Sequence, residues 1–127
     1  MRVLLDTSFI LWAAERGLDL MVLLDEVLPY PMEKVTPVQV VRELEAMCKD
    51  RSTKRSRLAR TGLRIAGHTV LLHAEGDGDA DRIILALASG GGFVVATMDF
   101  DLRKGLRAAS APVIYFKDDY PQLVGIV

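Results

Sequence analysis

The chain of 127 residues has one cysteine, Cys48, and two histidines. A lone cysteine excludes a disulfide framework and a thiolate zinc site, and it fits a reducing cytoplasm. No segment reaches the ~18 consecutive apolar residues of a membrane-spanning helix. The first apolar run is interrupted at Asp6, far too early for a secretory signal. Aromatic residues make up 6% of the chain, which gives little support for a surface that stacks flat rings. There is no internal repeat, and no low-complexity tract beyond Gly90-Gly91-Gly92. Half of the residues are hydrophobic, enough to exclude disorder. The length suits one domain with a real core, spanning residues 1–127.

The net charge of −1 conceals a segregation. Residues 49–64 contain Lys49, Arg51, Lys54, Arg55, Arg57, Arg60 and Arg64 against Asp50 alone, a local charge of +6. The remaining chain is therefore −7. A site that holds cations beside a polyanion needs such an arrangement.

Strand and helix patterns alternate along the chain. Val3-Leu4-Leu5 reads as a buried strand that stops on Asp6. Thr7 or Ser8 can cap a helix from about Ser8 to Glu15, with Gly17 as its stop. A second helix is expected over Leu18 to Leu28, ended by Pro29 and Pro31. Glu33 to Thr36 follows as a strand, and Thr36-Pro37 signals a third helix reaching about Lys49. The basic helix runs from Thr53 to Ala66 and stops at Gly67. Thr69 to His73 reads as a strand, and Glu75 to Asp79 as a loop. Ala80 to Ser89 is apolar on nearly every face and reads as a buried helix. Phe93 to Thr97, Phe100 to Ala108 and Val113 to Phe116 read as strand, helix and strand. The apolar tail from Tyr120 to Val127 is expected to pack on the core. Such alternation implies an α/β fold with a parallel sheet covered on both faces.

The acids fall at suggestive places. Asp6 ends the first strand, where open α/β sheets bind ligands, although it can equally cap a helix. Asp99 repeats the pattern after Val94-Val95-Ala96-Thr97, with Asp101 two residues on. Asp81 lies one step inside an apolar helix, where a carboxylate is costly without a partner. Asp77 and Asp79 are better caps for that helix. Glu43 and Glu45 flank the apolar stripe Val40, Val41, Leu44, Met47 and Cys48, and position does not choose between them. Convergence of four acids would raise some of their pKa values. An oxygen-only set would select Mg²⁺ or Mn²⁺ to relieve that repulsion.

The ordered set Leu-Asp6-Thr-Ser, Val-Arg-Glu43-Leu, Ala-Asp81 and Ala-Thr-Met-Asp99-Phe-Asp101-Leu resembles the PIN-domain nucleases over essentially the whole chain. The resemblance implies a three-layer α/β/α fold with a five-stranded parallel sheet. It implies a Mg²⁺- or Mn²⁺-dependent ribonuclease with Asp6, Glu43, Asp81 and Asp99 as metal-holding acids. Asp101 is then the auxiliary acid, and Thr7 and Thr97 orient carboxylates. It also selects Glu43 over Glu45.

The basic helix is read as a phosphate-binding surface, with Lys54, Arg55, Arg57, Arg60 and Arg64 as RNA contacts. His68 and His73 are read as structural rather than as ligands. Two subfamilies fit: ribosomal-RNA processing nucleases, which the basic helix favours, and VapC-type toxins paired with an antitoxin protein. A homodimer is a family expectation. Outside nuclease catalysis, a non-cleaving RNA-binding module would keep the basic helix. A phospho-receiver domain would also cluster acids at strand ends, but the start of the Asp81 helix does not suit it.

Overall fold

The computed structural model describes residues 1–76 and 78–127. The described chain opens with β1 (Arg2–Leu5), α1 (Thr7–Arg16) and α2 (Leu20–Val27). It continues through β2 (Glu33–Pro37), α3 (Val38–Cys48), α4 (Thr53–Ala66) and β3 (Val70–Leu72). Then come α5 (Ala80–Ser89), β4 (Phe93–Ala96), α6 (Phe100–Ala108), β5 (Val113–Lys117) and β6 (Tyr120–Val124).

The strand order is β3-β2-β1-β4-β5-β6. The first five strands are parallel, and β6 pairs antiparallel with β5. Val3, Leu4 and Leu5 are fully buried, as befits a central strand covered on both faces. Helix α1 packs against α3 and α4, while α5 packs against α6 and β4. Phe9 of α1 stacks on Phe116 of β5 with ring centroids 4.7 Å apart, fastening helix to sheet.

The sheet has six strands where five were expected. The tail forms the extra strand because Asp118 takes a φ of 56°, the left-handed turn a two-residue hairpin requires. Lys117 then pairs with Tyr120, and the alternating burial of β6 places Pro121 and Leu123 inward. Leu123 and Val127 pack on the core, as expected for an apolar tail.

Two local readings change. Helix α5 is amphipathic: Ala80, Ile83, Ile84 and Ala88 are buried, whereas Asp81, Arg82, Ala86 and Ser89 are exposed. Alanine suits either environment, so its presence hid the polar face. Thr36 does not cap α3; it lies in β2, and its hydroxyl approaches that of Thr69 at 2.6 Å. Asp19 instead caps α2 through a bond from the Val22 amide. Gly17 closes α1 with a φ of 63°, a backbone shape glycine adopts without cost.

Helix α4 is laid tightly on α1 and α3. A Cβ at Gly62 would sit 3.1 Å from Leu44 Cδ2 and 3.2 Å from Ile10 Cγ2. Its buried face is Ser56, Ala59, Gly62 and Ala66, a stripe of small residues that permits the close approach.

Candidate active site at the strand ends

Two adjacent strands, β1 and β4, deliver their chains in different directions. From β1 the chain enters the α1, α3 and α4 group, and from β4 it enters α6 beside α5. Such a switch point opens a crevice at the carboxyl ends of the strands. Asp6 and the segment Thr97 to Asp99 occupy those ends, joined by a bond from the Asp6 amide to the Ala96 carbonyl at 3.0 Å.

Asp6 is only 3% exposed. It stands at the N-cap position of α1, yet its carboxylate makes no cap bond. Ser8 Oγ and Thr97 Oγ1 each donate to Asp6 Oδ2 at 2.7 Å. Each hydroxyl then accepts a backbone proton, Ser8 from the Met98 amide at 2.9 Å and Thr97 from the Asp99 amide at 3.0 Å. The chain of bonds thereby fixes both the Asp6 side chain and the backbone leading into Asp99. Both hydroxyls go to Oδ2, and no side-chain donor reaches Asp6 Oδ1 among the described residues. Burial pushes the Asp6 pKa up, while bonds from Thr97, Ser8 and the Thr7 backbone pull it down; the charge of Asp99 adds to the rise.

Glu43 is half-buried on α3, and Glu45 is exposed. Thr7 Oγ1 donates to Glu43 Oε2 at 2.6 Å, and the Ala80 amide approaches Oε1 at 3.4 Å. Glu43 thus faces the amino end of α5, where a helix favours negative charge. The carboxylate that Thr7 touches is thus Glu43.

Asp81 lies in the first turn of α5, after Asp79 has capped the helix through the Arg82 amide at 3.1 Å. Asp77, the other expected cap, lies outside the described residues. The Asp81 pKa is raised from 3.8 to about 6. Desolvation by nearby protein is the largest cause, although the side chain retains solvent exposure; the charges of Asp6, Asp99, Asp79 and Glu43 follow. Asp99 caps α6 with Oδ1, which accepts from the Leu102 amide at 3.0 Å. Asp101 is exposed in the same first turn and is not among the charges raising Asp6 or Asp81.

The four expected acids therefore share one electrostatic field. They do not form a closed cage: among the described residues, no three acidic, histidine or cysteine side chains are arranged to hold a metal ion. The acids expected as a four-carboxylate cage form a looser cluster: Asp6 is held by Ser8 and Thr97, Glu43 by Thr7, and Asp99 by its cap on α6. The chemistry of the set still fits Mg²⁺ or Mn²⁺. It is all oxygen, and Mg²⁺ commonly binds through one or two carboxylates while keeping water and substrate phosphate as other ligands.

The basic helix is placed differently from a simple rim. Lys54 pairs with Glu15 at 3.8 Å, and Arg55 with Asp50 at 3.2 Å. Those partners lie at the carboxyl ends of α1 and α3, opposite the ends that present Asp6 and begin the Glu43 helix. Arg57, Arg60 and Arg64 are exposed. His68 and His73 are also on the surface.

Two contributors escaped the sequence reading. Ser8 serves Asp6 rather than capping a helix; a hydroxyl two residues after a strand-end Asp was the available signal. Gln39, one turn before Glu43, donates Nε2 to the Ala74 carbonyl at 3.2 Å. It ties α3 to the segment leading toward Asp79, while its buried Oε1 has no partner among the described residues.

Twenty chains of solved structures match this one, and two of them illustrate the likeness. One is the PIN domain endonuclease Utp24, with a TM-score of 0.83 and 24% identity, covering 99% of this chain and 92% of that one. The other is a domain of a functionally unknown protein from Methanocaldococcus jannaschii DSM 2661, with a TM-score of 0.63 and 15% identity. It covers 99% of this chain and 97% of that one. The sequence matches no curated protein. A PIN-like domain model matches residues 3–119, with the strand-end acids inside the match, and the chain belongs to the PIN-like domain family.

Proposed function

We propose that this chain is a Mg²⁺- or Mn²⁺-dependent endoribonuclease acting in RNA processing. The observation that carries the reading is the Asp6 network at the switch point, within the same electrostatic field as Glu43, Asp81 and Asp99. The family membership and the fold held in common with a PIN domain endonuclease support it.

Asp6 Oδ1 and the oxygens of Asp81 and Asp99 are the acceptors we assign to the cation. When bound, the cation would polarise the phosphodiester and lower the pKa of an attacking water. Ser8 and Thr97 hold Asp6 in one rotamer, so its position does not depend on the ligand. Thr7 holds Glu43 at the amino end of α5, where it can orient a water molecule rather than lie free in solvent.

The deciding experiment is cleavage of a structured RNA with Mg²⁺, with Mn²⁺ and with EDTA. Wild-type protein is expected to cut with either metal and to be silent in EDTA. Asp6→Asn and Asp99→Asn are each expected to reduce the rate by roughly 10²-fold or more. Asparagine still caps a helix, so Asp99→Asn keeps α6. Cleavage that survives EDTA and both substitutions would overturn the reading.

The loose spacing of the acids favours one second reading, a module that binds RNA without cutting it. That module would bind RNA equally in Mg²⁺ and EDTA and would leave it intact.

A further inference from the structure

The scarce aromatics are not scattered. Phe100, the residue after Asp99, is 62% exposed on α6. Arg103, Lys104 and Arg107 follow at positions that share its helical face. Tyr115 of β5 and Ile126 after β6 close the opposite wall of a groove of about 570 Å³. That volume lies within the range of small-ligand pockets. None of the described residues lining it is acidic.

The cations are organised by the rings. The Arg103 guanidinium lies 4.1 Å from the Tyr115 ring centroid and 5.9 Å from that of Phe100. The Lys104 ammonium lies 5.0 Å from the Phe100 centroid. Exposed ring faces and guanidinium planes are what unstacked bases pack on, and neighbouring cations neutralise the strand that carries them. An apolar protein partner would leave three clustered cations without counter-charge. A nucleic acid supplies flat apolar bases and anionic phosphates together.

We propose that the groove between α6 and the β5–β6 hairpin binds unpaired nucleotides of the RNA strand beside the strand-end acids. The assignment rests on the ribonuclease reading for the identity of the polymer. Helix α6 connects the two places: Asp99 stands at its amino end, and the groove runs along its exposed face. A strand held there is led directly from Asp99 toward Ile126. Gly125 shapes the far end. Its φ is 110°, and a Cβ there would lie only 2.9 Å from Pro112 Cα, so the chain turns back onto the groove at that point.

The test is binding of a short fluorescein-labelled oligoadenylate to the full chain in EDTA, followed by fluorescence anisotropy. Phe100→Ala is expected to weaken binding by about 5- to 150-fold, the measured range for one stacked base. The double variant Lys104→Glu with Arg107→Glu is expected to weaken binding and to reduce the salt slope by about one to two units. At saturating RNA in Mg²⁺, Phe100→Ala keeps kcat and raises KM. Wild-type affinity in the Phe100 and Lys104/Arg107 variants, with cleavage intact, overturns the groove and leaves the ribonuclease reading standing. Dimers that Phe100→Ala splits, with RNA affinity unchanged, overturn it in favour of a protein interface. A wild-type protein that binds but never cuts RNA removes the nuclease reading and spares the groove. One that does neither removes both.

Discussion

Thr97 Oγ1 donates to Asp6 Oδ2 at 2.7 Å, across two strands whose residues are 91 positions apart in sequence. The same hydroxyl accepts from the Asp99 amide. One side chain therefore positions two of the acids assigned to the site.

Thr97→Val keeps the shape and removes both functions. It leaves Asp6 with Ser8 as its remaining hydroxyl donor and orphans the Asp99 amide. Stability is expected to fall by about 1–3 kcal/mol, as for other buried polar groups deprived of a partner. Urea denaturation in EDTA measures this. Thr97→Ser, which restores the hydroxyl, is expected to recover most of the stability and most of the cleavage; failure of that recovery would assign the loss to packing.

The two glutamates of α3 separate cleanly by environment. Glu43→Gln is expected to reduce cleavage sharply, and Glu45→Gln to leave it unchanged. Only Glu43 accepts from Thr7 and faces α5. Equal activities of the two variants at saturating Mg²⁺ would remove Glu43 from the machinery.

Asp81 makes stability depend on pH with a definite sign. Its pKa is raised on folding from 3.8 to about 6, so the folded protein binds more protons than the unfolded one between those values. Its contribution is present below the unfolded pKa and is lost as pH rises through the folded one. Asp6 is shifted in the same direction. Without divalent cation, the denaturation midpoint should fall between about pH 4 and about pH 6 less steeply in Asp81→Asn than in the wild type. Because Asp81 is exposed, solvent screening keeps the difference small. Superimposable pH profiles in EDTA would contradict the shared field.

Gly62 permits the close seat of α4. Gly62→Val would press on Leu44 and Ile10 and is expected to cost about 1–3 kcal/mol by overpacking. Cleavage per folded molecule is expected to fall as well, because Leu44 adjoins Glu43 and the Ile10 amide donates to the Asp6 carbonyl. Thermal unfolding gives the first quantity and active-fraction kinetics the second.

Much of this arrangement could be read locally. Both α5 and α6 occupy the expected residues, since each has an acidic cap and a sharp stop or start. The hairpin ending in β6 was hidden because its turn is Asp118-Asp119, without the glycine or asparagine that usually signals one. Thr36 was misleading because a hydroxyl before proline suits either a cap or a buried strand, and Thr69 decided the matter from 33 residues away.

By itself, the sequence determined the alternation of strands and helices and the placing of Asp6 and Asp99 at strand ends. Those properties depend on hydrophobic period and nearest neighbours, which act over a few residues. Tertiary structure decided the rest: that Thr97 and Ser8 converge on one oxygen of Asp6, that Glu43 reaches α5, and that the few aromatics gather beside Arg103. It also decided that the acids share a field without closing into a cage. Such relations depend on strand order and helix seating, and neither is encoded within any single window of the chain.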